Sequence, residues 1–156
     1  MRGRKIKLCF CASSGGHYEQ IMMLRPLMDK YDSFIVTEKT HYNVNNYNNR
    51  VYYLRQVNRK QQLWLFYMLY NSILSLIILI KERPSIVIST GALSTIPMCI
   101  LEKAFKGKLI FIESFAKVTV PTETGRLLYK IADRFYVQWP QMKEVYPDAI
   151  YLGGIY

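Results

Sequence analysis

Short apolar segments alternate with longer segments of helical periodicity along the chain. The apolar segments end at polar or turn-forming residues and predict strands at 5–12, 33–37, 51–54, 86–89, 108–112, 134–138 and 150–152. Apolar residues at helical spacing predict helices at about 18–28, 61–82, 94–105 and 124–131, with a last helical turn that starts at Pro140. Because strands alternate with helices, we expect an α/β fold whose parallel sheet is covered by helices on both faces.

The loops that follow the first, fourth and fifth predicted strands carry most of the chemically informative residues. Parallel strands place such loops at the same edge of the sheet, where ligands bind. The first strand is followed by Ser13, Ser14, Gly15, Gly16 and His17. Backbone N–H groups in a turn that leads into a helix suit the diphosphate of a ligand. The turn matches neither the dinucleotide-binding glycine pattern nor a P-loop, and a tight turn without a ligand is the alternative.

Three residues at this edge of the sheet are candidates for catalysis or close contact with a ligand. His17 is predicted to donate a hydrogen bond to a diphosphate or to act as a general base, with a capping or packing role as the alternative. Glu113 follows a strongly apolar strand and is predicted to orient a sugar hydroxyl or accept its proton, unless it caps a helix or forms a salt bridge. Gly91 is predicted to allow close approach of the backbone to a ligand or partner, or else simply to form a turn.

The predicted helix at 61–82 contains a long run without a charged residue, 63–80. This run reaches the lower limit of length for a transmembrane helix, but Asn71, Ser72 and Ser75 dilute its centre, and strands precede and follow it. We therefore expect a helix that packs on the sheet and presents apolar groups to a membrane surface, with a buried core helix as the alternative. The residues predicted to contact the membrane are Arg59, Lys60, Trp64, Tyr67 and Lys81.

Charge and composition narrow the range of partners. The net charge is +10, and the segment from Lys39 to Lys81 contains no Asp or Glu, which favours an anionic membrane surface. A nucleic-acid-binding module is disfavoured because the long apolar run interrupts the basic segment. The cysteines Cys9, Cys11 and Cys99 lack the spacing of a metal site and are predicted to be reduced packing residues of a cytosolic chain. We expect neither a metal ion nor a cofactor.

Four segments, taken in order, carry a family resemblance: Ser-Ser-Gly-Gly-His at 13–17, Ile-Ser-Thr-Gly-Ala at 88–92, Phe-Ile-Glu-Ser-Phe-Ala-Lys-Val at 111–118 and Ala-Asp-Arg-Phe-Tyr-Val-Gln-Trp-Pro at 132–140. Over nearly its whole length the chain resembles the membrane-anchor subunit family of oligosaccharide biosynthesis. The resemblance implies a Rossmann-like sheet equivalent to the N-terminal domain of a GT-B glycosyltransferase. The length of 156 residues predicts one domain, and the resemblance implies that this domain, 1–156, contacts the acceptor and the membrane.

The resemblance further implies a hexosyltransferase divided between two chains. This chain would be the subunit that does not bind the donor, inactive without a small catalytic partner that binds the UDP-sugar. The acceptor would be a sugar linked to polyprenyl diphosphate, in capsule or exopolysaccharide synthesis or in lipid-linked oligosaccharide synthesis. Eukaryotic members carry an N-terminal transmembrane anchor. Here the first predicted strand begins near residue 5, so we expect peripheral attachment at the cytoplasmic face of the cell membrane.

The predicted interface with the catalytic partner is aromatic and apolar. It comprises Trp139, Pro140, Leu152 and Tyr156, because an apolar chain end is usually covered, and core packing is the alternative. A second hypothesis for the whole chain is a self-sufficient single-domain α/β enzyme that binds a nucleotide or a phosphate. Two observations argue against this hypothesis. The chain offers no second domain to close a cleft, and Glu38 is the only acidic residue at the end of the second predicted strand that could bind a ribose hydroxyl.

Overall fold

Parallel strands form one sheet in the computed structural model, which describes residues 6–40 and 48–156. The strands of this part of the chain are β1 (Lys7–Ala12), β2 (Asp32–Glu38), β3 (Arg50–Leu54), β4 (Ile86–Gly91), β5 (Lys108–Ile112), β6 (Arg134–Val137) and β7 (Ile150–Tyr151). Their order across the sheet is β3-β2-β1-β4-β5-β6-β7, and every neighbouring pair is parallel. The predicted parallel α/β fold is therefore confirmed. Residue 5, the predicted start of the first strand, lies outside the described residues.

Helices connect these strands and cover the sheet. They are α1 (Gly16–Met22), α2 (Arg25–Lys30), α3 (Trp64–Glu82), α4 (Ile96–Ala104) and α5 (Glu123–Leu128), with short 3₁₀ helices at Leu93–Thr95 and Pro140–Glu144. The prediction of one helix at 18–28 was wrong, because the chain forms α1 and α2 instead. Pro26 lies in the first turn of α2 and has no N–H to continue a helix that began earlier.

The two faces of the sheet bury different sets of side chains, as the alternation along a strand requires. On one face, Leu8 and Phe10 of β1 pack with residues of α1 and α2. On the other face, Cys9 and Cys11 pack with Cys99 and with residues of α3 and α4. All three cysteines are buried without a disulfide, and burial raises the pKa of each thiol. Their predicted role as packing residues is confirmed.

The chain reverses its direction across the sheet between β1 and β4. From β1 it proceeds outward through β2 to β3, and after α3 it returns to β4 on the other side of β1 and proceeds outward to β7. In open parallel sheets of this kind, ligands bind in the crevice beyond the carboxyl ends of the two strands that flank such a reversal. The loops after β1 and β4 are therefore where the fold places a binding site.

Candidate functional site

The loop after β1 and the start of α1 contact the end of β4 at this reversal point. The backbone N–H of Ser13 donates to the carbonyl of Gly91 at 3.3 Å, and the Thr90 hydroxyl donates to the carbonyl of His17 at 2.8 Å. A Cβ added to Gly91 would lie 3.6 Å from Cε1 of the His17 ring, an ordinary contact distance, so the imidazole lies against the end of β4. The structure thus brings the predicted 13–17 turn, His17 and Gly91 into one place.

Backbone geometry in this cluster is unusual. Gly15 has φ +76° and Gly91 has φ +104°, conformations that favour glycine. Both Gly15 and Gly16 face open space, since an added Cβ would meet no atom within 4 Å. Ala92, which the sequence analysis did not single out, has φ +146° and ψ 154°, a region that costs a non-glycine residue about 1–3 kcal/mol. Strain of this kind concentrates at functional sites.

The His17 side chain is half-buried and lacks an expected hydrogen bond. Its Nδ1 atom is buried, yet no described residue donates to it or accepts from it. Buried polar atoms in folded proteins are nearly always paired, so this imidazole nitrogen retains an unused capacity for a hydrogen bond. The predicted capping role receives no support from this geometry, because α1 has no side-chain cap.

Glu113 lies at the carboxyl end of β5 and is fully buried. Its Oε1 accepts from the backbone N–H of Ser114 at 2.8 Å and from the Thr122 hydroxyl at 2.8 Å. Its Oε2 accepts from the Thr122 N–H at 3.2 Å and from the Tyr146 hydroxyl at 3.1 Å. Burial and the neighbouring carboxylate raise the pKa of Tyr146, so that hydroxyl stays a donor. A Cβ at Gly125 would overlap the carboxylate.

This arrangement favours a structural role for Glu113 over proton transfer. Both carboxylate oxygens are engaged by donors of the chain itself, and they hold the loop between β5 and α5 in place. The backbone carbonyl of Glu113 accepts from the side-chain amides of Gln20 on α1, at 3.2 Å, and Gln138 after β6, at 2.8 Å. The catalytic role of Glu113 stays a prediction, and the carboxylate would need to leave these donors to fulfil it.

Helix α3 has its polar residues inside and much of its apolar surface outside. Asn71, Ser75 and Glu82 are buried together with Ile78 and Leu79. The outward stripe consists of apolar side chains that are each 48–63% exposed: Phe66, Leu69, Tyr70, Ile73, Ile77 and Ile80. Only 22% of this stretch is buried, so the alternative of a buried core helix was wrong. In the described part of the chain, α3 is the only helix long and apolar enough, by length and composition, to cross a membrane.

The buried polar residues of α3 attach it to the sheet. The Asn71 amide donates to the carbonyl of Arg55 at 2.8 Å and accepts from its N–H at 2.9 Å. The Glu82 carboxylate accepts from Lys7 at 3.1 Å and from the Tyr52 hydroxyl at 2.5 Å, and it pairs with Arg50 at 3.2 Å. Burial alone would raise the pKa of Glu82, but these donors outweigh it and lower the pKa.

The predicted membrane residues occupy two different environments. Arg59, Lys60 and Lys81 are exposed and flank the two ends of α3. Trp64 and Tyr67 are only half-buried and do not belong to the outward stripe. The guanidinium of Arg55 lies 3.9 Å from the centre of the Tyr67 ring. Sequence reasoning therefore found the helix and its basic flanks but not the residues that point away from the protein.

Aromatic residues cluster around the carboxyl ends of β5 and β6. The Trp139 indole donates to the carbonyl of Phe115 at 2.6 Å, and the two rings lie 5.0 Å apart. The Tyr156 ring packs 5.1 Å from that of Phe115. Leu152 is 81% exposed and Tyr156 is 62% exposed, whereas Trp139 is half-buried. Pro140, at the start of a 3₁₀ helix, is exposed as well. An exposed apolar surface thus lies at the same carboxyl edge of the sheet as the candidate binding site.

A comparison with protein families agrees with this architecture. The family described as "Oligosaccharide biosynthesis protein Alg14 like" matches residues 8–155, nearly the whole chain. The chain belongs to the Alg14 family. The resemblance that the four sequence segments indicated is thereby confirmed.

Alignments with relatives cover most of this Alg14-family chain. The human protein named UDP-N-acetylglucosamine transferase subunit ALG14 is 26% identical over 179 residues, which cover 96% of this chain and 83% of the human protein. The rat protein of the same name is 27% identical, covering 97% of this chain and 84% of its own length.

Solved structures share the fold at low sequence identity. MurG from Acinetobacter baumannii superposes with a TM-score of 0.69 at 14% identity, covering 87% of this chain and 42% of MurG. A UDP complex of MnaA from S. aureus gives a TM-score of 0.71 at 8% identity, covering 97% of this chain and 46% of MnaA. The chain therefore spans less than half the length of these structures. The predicted Rossmann-like fold of the GT-B type is confirmed.

Proposed function

We propose that this chain is the acceptor-side subunit of a two-chain UDP-sugar glycosyltransferase. Its residues 1–156 form one domain that attaches to the membrane and recruits a small catalytic partner, which binds the UDP-sugar. The observation that carries the proposal is the outward stripe of α3 in a chain of the Alg14 family. The human and rat relatives are named as subunits of a transferase, which supports a divided enzyme.

Membrane attachment follows from the surface chemistry of α3. The helix has 19 residues and is about 28 Å long at 1.5 Å per residue. An apolar surface of this size in water marks an interaction site, and basic residues at both ends suit anionic headgroups. Because Asn71 and Glu82 attach α3 to the sheet, the helix lies along the membrane surface rather than crossing it. The attachment is peripheral and on the cytoplasmic face.

Acceptor binding is assigned to the edge where the loops after β1 and β4 meet. The diphosphate of a polyprenyl-diphosphate-linked sugar contacts the 13–17 turn, in which backbone N–H groups and the serine hydroxyls of Ser13 and Ser14 are available. His17 donates a hydrogen bond to the diphosphate or removes the proton of the acceptor hydroxyl. Gly91 and the strained Ala92 keep β4 close to the imidazole. Glu113 holds the neighbouring loop in the position that the acceptor needs.

The catalytic partner covers the exposed apolar surface around Trp139, Pro140, Leu152 and Tyr156. This surface adjoins the carboxyl edge of the sheet, so a partner bound there holds its UDP-sugar above the acceptor. The product belongs to capsule or exopolysaccharide synthesis, or to lipid-linked oligosaccharide synthesis. The self-sufficient enzyme is the competing function, and it requires the isolated chain to bind a nucleotide or a nucleotide sugar.

Reconstitution tests the proposal. The chain is coexpressed with a candidate UDP-sugar-binding subunit, and transfer to a polyprenyl-diphosphate-linked sugar is measured for the pair and for each chain alone. We expect transfer by the pair only, and no micromolar binding of a UDP-sugar to the isolated chain. His17→Ala should lower transfer by about 10²-fold or more if the imidazole is the base. The exposed Glu19 of the same helix provides the control variant Glu19→Ala. Transfer by the isolated chain, or full activity of His17→Ala, would contradict the respective assignment.

A further inference from the structure

A cavity of about 320 Å³ lies between the end of α3 and the end of α4. Its lining includes Leu79, Ile80, Arg83, Pro84, Glu102 and Phe105. It is located where α3 leads into β4 and where α4 leads into β5, at the amino ends of the strands. The carboxyl edge that holds His17 is at the opposite end of the sheet. The cavity is therefore separate from the proposed acceptor site, and its volume is in the range of small-molecule sites.

A buried carboxylate without a full set of partners lines this cavity. Glu102 is 2% exposed, and its Oε1 has no hydrogen-bond partner among the described residues. A Cβ at Gly107 would overlap this carboxylate, so the turn before β5 needs a glycine to accommodate Glu102. Burying a carboxylate oxygen without a hydrogen-bond partner costs free energy. A ligand that donates a hydrogen bond to this oxygen would offset that cost.

A cation lines the same cavity without pairing with that carboxylate. Arg83 ends α3 in a left-handed conformation with φ 48° and is exposed. Its Nε donates to the carbonyl of Ile80 at 3.3 Å. In the part of the chain that the structure describes, no salt bridge joins Arg83 to Glu102 or to another carboxylate. The wall of the cavity thus contains a buried, unpaired acceptor and its rim carries a cation, a pattern complementary to a zwitterion.

The walls of the cavity connect it to the outward stripe. Ile80 is the last residue of the stripe, is 55% exposed and also lines the cavity. Phe105 on the opposite wall is 57% exposed. The cavity therefore adjoins the end of the outward stripe at Ile80.

We propose that this cavity binds the headgroup of a phospholipid with a primary ammonium group, of the phosphatidylethanolamine class. The ammonium donates to Glu102, the phosphate contacts Arg83, and the glycerol and first acyl carbons pack against Ile80 and Phe105. An N–H donor is required because the carboxylate oxygen lacks one, and the trimethylammonium of a choline lipid has none. This inference rests on the proposed membrane attachment and deepens it by naming a preferred lipid.

Short-chain lipids below their micelle concentration test the site in solution. Binding of dihexanoyl phosphatidylethanolamine, dihexanoyl phosphatidylcholine and free phosphoethanolamine is measured by calorimetry at pH 8. We expect the ethanolamine lipid to bind at least about tenfold more tightly than the choline lipid, since hydrogen bonds between charged groups are the strong ones. Glu102→Gln should abolish this preference, and Glu144→Gln, at an exposed site, should retain it. Circular dichroism verifies that both variants fold.

The outcomes separate the site from the membrane proposal. Equal binding of the two lipids by the wild type, or a preference that survives Glu102→Gln, overturns the site. Equally tight binding of free phosphoethanolamine overturns the assignment to a lipid. Vesicles of phosphatidylglycerol and phosphatidylcholine, which contain no ethanolamine, report on the stripe alone, and Glu102→Gln should bind them like the wild type. If the wild type fails to bind these vesicles but prefers the ethanolamine lipid in solution, the attachment proposal fails and the site stands.

Discussion

Replacing Glu102 with glutamine should stabilise the protein at alkaline pH and have a much smaller effect at pH 5. Burial raises the pKa of Glu102 from 4.5 to about 7, and the ammonium of Lys103 offsets only part of that effect. The group is therefore harder to ionise in the folded state than in the unfolded state. Its contribution to stability is present below pH 4.5, decreases as the pH rises from 4.5 to 7, and stays constant above pH 7.

The size of the effect follows from the difference between the two pKa values. That difference is 7 − 4.5, or 2.5 units, and each unit corresponds to about 1.4 kcal/mol. The wild type should thus lose about 3 kcal/mol of stability between pH 4.5 and pH 8 through this one carboxyl group. Glutamine has nearly the same shape and does not titrate, so the variant avoids this loss.

Urea denaturation of both proteins at pH 5 and pH 8, followed by circular dichroism, measures the difference in the free energy of unfolding. We expect the variant to gain about 3 kcal/mol relative to the wild type at pH 8, and about 0.8 kcal/mol at pH 5. Glu144→Gln at an exposed site should show no such dependence on pH. A difference between variant and wild type that is the same at both pH values would refute the reasoning that burial raises the pKa of Glu102.

Two further predictions concern the loop network and the membrane surface. Gly125→Ala should destabilise the fold by more than about 2 kcal/mol in urea denaturation, because the added Cβ overlaps the Glu113 carboxylate and displaces its donors. Gly16→Ala, where an added Cβ meets no atom, is its control, and equal stability of the two variants would argue against the role of the network. Reversing Arg59, Lys60 and Lys81 to Glu should weaken binding to anionic vesicles about 100-fold or more, at about 1 kcal/mol for each charge removed. If this variant cosediments with the vesicles as the wild type does, the electrostatic contribution is excluded. The control is a matched triple reversal of exposed residues outside α3: Lys130, Arg134 and Lys143.

Much of the fold could be predicted from the pattern along the chain. The short apolar run of β1, which is buried on both faces of the sheet, and the alternation of strands with helices follow from local sequence, so the positions of the strands and of the loops at the carboxyl edge were predicted correctly. The break between α1 and α2 was also present in the sequence, as Pro26, and was overlooked.

The candidate site was only partly predictable. The motifs at 13–17 and at Gly91 lie beyond neighbouring strands, and a parallel sheet brings such ends together. The role of Glu113 could not be read from its position after an apolar strand. Its carboxylate is engaged by Thr122 and Tyr146, 9 and 33 residues further along the chain. A free and a fully engaged carboxylate look alike in the sequence.

The sequence by itself determined the parallel α/β architecture, the turn that contacts β4 and the presence of a long apolar helix with basic flanks. Only the tertiary structure decided which face of that helix points outward. Local periodicity would place apolar residues inward. In the structure, however, the Asn71 side chain hydrogen-bonds to the Arg55 backbone, and the Glu82 carboxylate accepts from Lys7 and Tyr52. These partners come from distant parts of the chain and compensate the burial of polar groups, so the apolar stripe is left outside.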